Sequence, residues 1–253
     1  MFGNLSKWRE RRALRRHPIL EPGWQHALAH CAPARRLPAS AQARLRVLAT
    51  LLLREKSLEP VQGLKLTDDM RALLVTHACI PIINLGLSWY AGWHSFVIYP
   101  GLFVPERQSV DAAGVVHRHR NVLAGESWQR GPVILSWEDV MQAGGPPGHN
   151  VVIHECAHKL DTQNGEANGF PPLHKEMDQA RWSQVFLSAY TQLQNMRAAG
   201  EPLPMDVYAL HSPAEFFAVA SEIFFETPAI LHSSMPDLYQ QLCLFYRLNP
   251  TGT

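Results

Sequence analysis

The chain has 253 residues, 46% of them hydrophobic, which sets it among ordinary soluble globular proteins able to bury one large core or two small ones. Its 23 Lys+Arg nearly cancel its 22 Asp+Glu, so no chain-wide field exists to recruit nucleic acid or an anionic membrane.

The first sixteen residues carry six bases and one acid, with no apolar run after them to make a secretion signal. They read as a solvated amphipathic helix in which Leu5, Trp8 and Leu14 face the protein. Helical spacing of leucine and alanine follows over 40–54, and Thr67 is placed to cap a further helix over 68–80. The longest apolar run, from Ala78, is broken by Pro81, Asn84 and Gly86 and falls short of the roughly 20 residues of a membrane span. The middle of the chain changes character. Short β-branched or aromatic runs at 94–105, 114–120 and 131–137, bounded by Gly and Pro, read as strands of a small mixed sheet. Helical patterns return at 151–163, 174–198, 213–226 and 235–247. This order predicts an α+β fold, with a helical N-terminal region over 1–90 packed on a second part over 91–253. Cys31, Cys79, Cys156 and Cys243 are widely spaced and form no C-x-x-C pair, which predicts reduced thiols and a cytoplasmic location.

The chemistry is concentrated in "NVVIHECAHKLDTQNG", residues 150–165, which contains an H-E-x-x-H. At this chain's His and Glu content, about 0.06 such matches arise by chance, so accident is a poor explanation. Asn150 can cap a helix and Asn164-Gly165 can stop it, so the pentapeptide is predicted to be helical. On a helix His154 and His158 share one face, about 6 Å apart along the axis, and can offer two nitrogens to one zinc. Glu155 is rotated by roughly 100° and is free to act as a general base. Cys156 points away from that face and reads as core.

Catalytic zinc needs a third protein ligand. An extended three-histidine motif would require a glycine and a further histidine at the two positions where the chain has Asp161 and Asn164. Asp161 reads instead as a support accepting an imidazole N–H. Farther on, Ser212-Pro213 opens a helix that places Glu215 in its first turn and Glu222 two turns later on the same face, among phenylalanines. Buried carboxylates in such surroundings need a cation or hydrogen bonds. Ser212 and Glu215 also spell a capping box, so spacing alone leaves Glu215 and Glu222 evenly matched.

"HECAHKLDTQNG", then "YALHSPAEFFAVASEIFFETP", preceded by "GPVILSWEDV", resembles the Mlc titration factor A family of bacterial zinc metallopeptidases, and the likeness spans nearly the whole chain. The resemblance implies a zincin-like fold similar to the peptidase domain of anthrax lethal factor. It implies one zinc held by His154, His158 and Glu215, Glu155 as base, and Tyr208 donating to the developing oxyanion. Glu222 then becomes a support. It further implies aminopeptidase-like hydrolysis of a peptide substrate, and binding of an Mlc-type repressor that regulates the glucose phosphotransferase system. By the same analogy 131–136 is expected to be the strand edge along which substrate aligns.

Overall fold

A computed structural model describes residues 18–101, 106–110, 116–120, 125–127, 131–145 and 148–252. The basic stretch 1–16 and the end of the 94–105 run lie outside these residues. The first helices are α1 (Glu21–His30), α2 (Ala32–Arg36) and α3 (Ala39–Glu55), the first two with proline in their opening turn and α3 capped by Pro38, where a missing N–H costs nothing. Strand β1 (Ser57–Pro60) follows, then α4 (Asp68–Cys79), capped as expected by Thr67, whose Oγ1 accepts from Met70 N at 3.2 Å.

The remaining strands are β2 (Ser95–Tyr99), β3 (Glu106–Val110), β4 (Val116–Arg120), β5 (Gly125–Ser127) and β6 (Val133–Ser136). The main sheet has the order β1-β2-β6-β5, with β1, β2 and β6 parallel and β5 antiparallel, while β3 and β4 form a separate antiparallel pair. The fold is α+β and zincin-like, with a small mixed sheet. A division at residue 90 would pass between β1 and β2, two paired strands.

One expectation is corrected by this topology. The 131–136 run is not a free edge, because β6 is bonded to β2 on one side and to β5 on the other. The outer strand on that side, among the described residues, is β5, and a three-residue strand beginning with glycine carries too little periodicity to be read from sequence.

After the short α5 (Trp137–Met141) come α6 (Val151–Asp161), α7 (Gln179–Ala198), α8 (Pro213–Glu226), α9 (Pro228–Ser234) and α10 (Pro236–Tyr246). Every residue of α6 is buried. The helix runs through the centre of the molecule, packed against β5 and β6, α4 and α8. An aromatic cluster holds α7, α8 and α10 together: Trp182 stacks on Phe186 at 4.1 Å between ring centroids, and Phe217 and Phe245 close around them. A helix buried on all sides can carry histidines, a glutamate and a lysine only if each charge has compensation, and that requirement shapes the site.

Candidate metal centre

Helix α6 starts where Asn150 Oδ1 accepts from Ile153 N at 3.1 Å, the cap expected from sequence. One turn apart on one face, the rings of His154 and His158 meet edge to face, 4.8 Å between centroids, with their Nε2 atoms 3.2 Å apart. Glu215 arrives from the first turn of α8, 57 residues after His158. Its Oε2 lies 3.0 Å from His154 Nε2 and 3.2 Å from His158 Nε2. Ser212 Oγ does cap α8 by accepting from Glu215 N at 3.2 Å, but the carboxylate oxygen of Glu215 is spent on the histidines. Of the capping box only the Ser212 half is therefore made, and the Glu215 side chain faces the histidines instead.

These three atoms form the group among the described residues that could hold a metal. Tetrahedral zinc with bonds of about 2.05 Å would set its ligand atoms about 3.3 Å apart. The observed spacings of 3.0 to 3.2 Å and the two-imidazole, one-carboxylate donor set fit that requirement.

Glu222 stands behind His154, two turns along α8 from Glu215. Its Oε1 accepts from His154 Nδ1–H at 2.7 Å, which fixes the ring and leaves Nε2 turned toward Glu215. The other oxygen accepts from the backbone N–H of Asn150 and lies 3.2 Å from Nδ1 of His149. Burial alone would push the His154 pKa down, but its bonds to Glu215 and Glu222 outweigh burial and hold it well above the usual histidine value. For the same reason both carboxylates are held below the usual range against the opposing effect of burial. Glu155 differs. Burial raises its pKa despite the two histidines nearby, and its Oε2 has no hydrogen-bond partner among the described residues.

The family described as "Glucose-regulated metallo-peptidase M90" matches residues 5–247. Proteins called Mlc titration factor A are similar over most of their length. That of Yersinia enterocolitica is 38% identical over 249 residues, covering 97% of this chain and 86% of the relative. That of Klebsiella pneumoniae is 38% identical over 232 residues (91% and 87%), and that of Yersinia pestis 41% over 212 residues (83% and 78%). The chain belongs to the M90 metallopeptidase family.

Membership in M90 implies a metal, and the His154, His158 and Glu215 cluster is where this chain can hold it. The other residues expected from the sequence take varied places around it. Tyr208 lies in a 3-10 turn (Val207–Leu210) capped by Asp206, its ring 6.1 Å from that of His154 and stacked on His211. Asp161, expected to accept from an imidazole, accepts instead from the backbone N–H of Gly169 at 2.8 Å through Oδ2. Its Oδ1 and Nδ1 of His158 are both buried without hydrogen-bond partners among the described residues. Burial pushes the Asp161 pKa up to about 6. Cys156 is buried as expected, its thiol pushed up to about 12 by burial.

Sequence reading missed the layer behind the cluster. Glu226 accepts from Asn150 Nδ2, which also lies 2.9 Å from His77 Nδ1 on α4. Glu215, Glu222 and Glu226 are spaced i, i+7, i+11, one stripe of α8 that runs along α6 from His158 back to its capping Asn150, and that spacing is a signal the sequence did carry. The positive end of α6 favours the two inner carboxylates. Lys159, buried on the same helix, donates to Gly131 O at 2.9 Å just before β6. His149 had no distinguishing spacing.

Proposed function

We propose that the protein is a zinc-dependent peptidase using His154, His158 and Glu215 as ligands and Glu155 as general base. The observation that carries the reading is the convergence of the three candidate ligand atoms beside a buried carboxylate whose Oε2 has no partner among the described residues. Zinc held there would supply Lewis acidity toward the scissile carbonyl and the attacking water. Glu155 takes the proton of that water and delivers it to the leaving amine; its raised pKa brings it closer to a base that can also return the proton. Tyr208, beside His154, donates to the oxygen that gains charge. Glu222 and Asp161 hold the surroundings of the ligands. The substrate aligns as an added strand along β5, the outer strand next to α6. In this reading 91–253 carries the chemistry, 1–90 supports it, and the unpaired cysteines suit the cytoplasm. The finer, aminopeptidase-like form is separated by comparing peptides with free and blocked N-termini.

A second reading is favoured by the relatives' shared name, Mlc titration factor A: the chain binds an Mlc-type repressor, with peptidase activity incidental. Metal analysis, peptidase assay and repressor pulldown on wild type and Glu155→Gln test both. The first reading expects one zinc per chain in each protein and an activity loss of about 100-fold or more in the variant. Absence of zinc, or equal activity, defeats it. Repressor capture by both proteins supports the second reading, and capture by neither defeats it.

A further inference from the structure

The link between Asp161 and α8 runs through a glycine. Asp161 closes α6 one turn after His158 and is fully buried. Its Oδ2 holds Gly169 N–H at 2.8 Å. Gly169 has φ +76°, a conformation side chains rarely adopt, and a β-carbon there would stand 2.5 Å from the carbonyl oxygen of Pro213. Pro213 is the first residue of α8, two before Glu215. From below, Trp182 Nε1–H donates to Gly169 O at 3.3 Å, and Asn164 Nδ2 donates to Phe170 O at 2.9 Å, closing the loop upon itself. The backbone of this loop is therefore wedged between the end of the histidine helix and the opening turn of the glutamate helix.

We propose that Gly169, held by Asp161, is a positioning residue that sets the distance of Glu215 from His154 and His158. The inference rests on the metal-site reading above. Asp161 acts through the backbone of Gly169 rather than through its charge on His158, and Gly169 acts by allowing α8 to approach to backbone contact. An added carbon forces the loop and Pro213 apart, and a shift of Pro213 carries Glu215 with it.

The test measures zinc affinity of the full chain by competition with a chromophoric chelator, together with melting of the metal-free proteins. Asp161→Ala and Gly169→Ala are each expected to weaken zinc binding by about 10–100-fold. Asp161→Asn keeps an oxygen for the Gly169 N–H and is expected to bind close to wild type. Should Gly169→Ala fail to fold, the two aspartate variants decide the matter. The proposal is overturned if Asp161→Asn falls as far as Asp161→Ala, which would make charge on His158 the agent. It is overturned equally if the variants melt lower without metal yet keep wild-type zinc affinity, a purely structural role. A wild type that binds no zinc defeats the metal-site reading itself, an outcome distinguishable from both.

Discussion

His154 shows why sequence could place the proposed ligands but not order their partners. Spacing puts both histidines on one face, and the structure agrees to the level of 3.2 Å between their Nε2 atoms. The choice between Glu215 and Glu222 depends on which edge of one imidazole each reaches: Glu215 takes Nε2 and Glu222 takes Nδ1. No helical periodicity encodes that, because both carboxylates lie on one stripe. The same two bonds make a prediction about protons. They raise the His154 pKa well above its ordinary value, which favours the charged ring in the metal-free protein. A metal at Nε2 must displace that proton. Zinc affinity should therefore rise with pH by about tenfold per unit while His154 stays protonated and level off above its pKa. Calorimetric titrations in buffers of different ionisation enthalpy would count the proton released; a count of zero contradicts the assignment of His154.

At the scale of elements, α6 and α8 were legible almost residue by residue, since each has a side-chain cap and sustained periodicity: 213–226 matches Pro213–Glu226, and 151–163 ends two residues early at Asp161. The strands were less so. β1 reads Ser-Leu-Glu-Pro with mostly exposed positions, and nothing in it marks a member of the main sheet. What joins the two helices is Asn150, which caps α6 with Oδ1, donates to Glu226 from α8 through Nδ2 and contacts His77 of α4. Asn150→Ala should lose the cap and leave the Glu226 carboxylate buried without its donor, about 2–4 kcal/mol in total. For a chain of this size that is a fall of about 5–15 °C in melting temperature, measurable by calorimetry. Asn150→Asp would keep the cap but add a third carboxylate beside Glu222 and Glu226. Its instability should ease as the pH is lowered and Glu226, already raised by burial, takes up a proton. A variant whose melting ignored pH between 5 and 8 would contradict this account of the network.

Across the whole molecule the metal would close what the chain alone leaves to packing. The proposed ligands come from α6 and from α8, with the Gly169 loop, α7 and the Tyr208 turn strung between them, so a bound ion would tie together segments 61 residues apart in sequence. A ligand present at 100 times its dissociation constant and binding only the folded state adds about 2.7 kcal/mol. In a domain of this length that amounts to roughly 5–10 °C in melting temperature. Chelator-treated protein should therefore melt lower by that amount, and added zinc should restore it. His154→Ala removes one ligand and leaves Glu215 and Glu222 without their shared imidazole, so its melting should be lower at the outset and insensitive to zinc. Both arms are needed, because general stabilisation by divalent ions would shift the two proteins alike. Equal melting of wild type with and without zinc would mean that α6 and α8 are held by packing alone and that the three converging ligand atoms do not bind the ion.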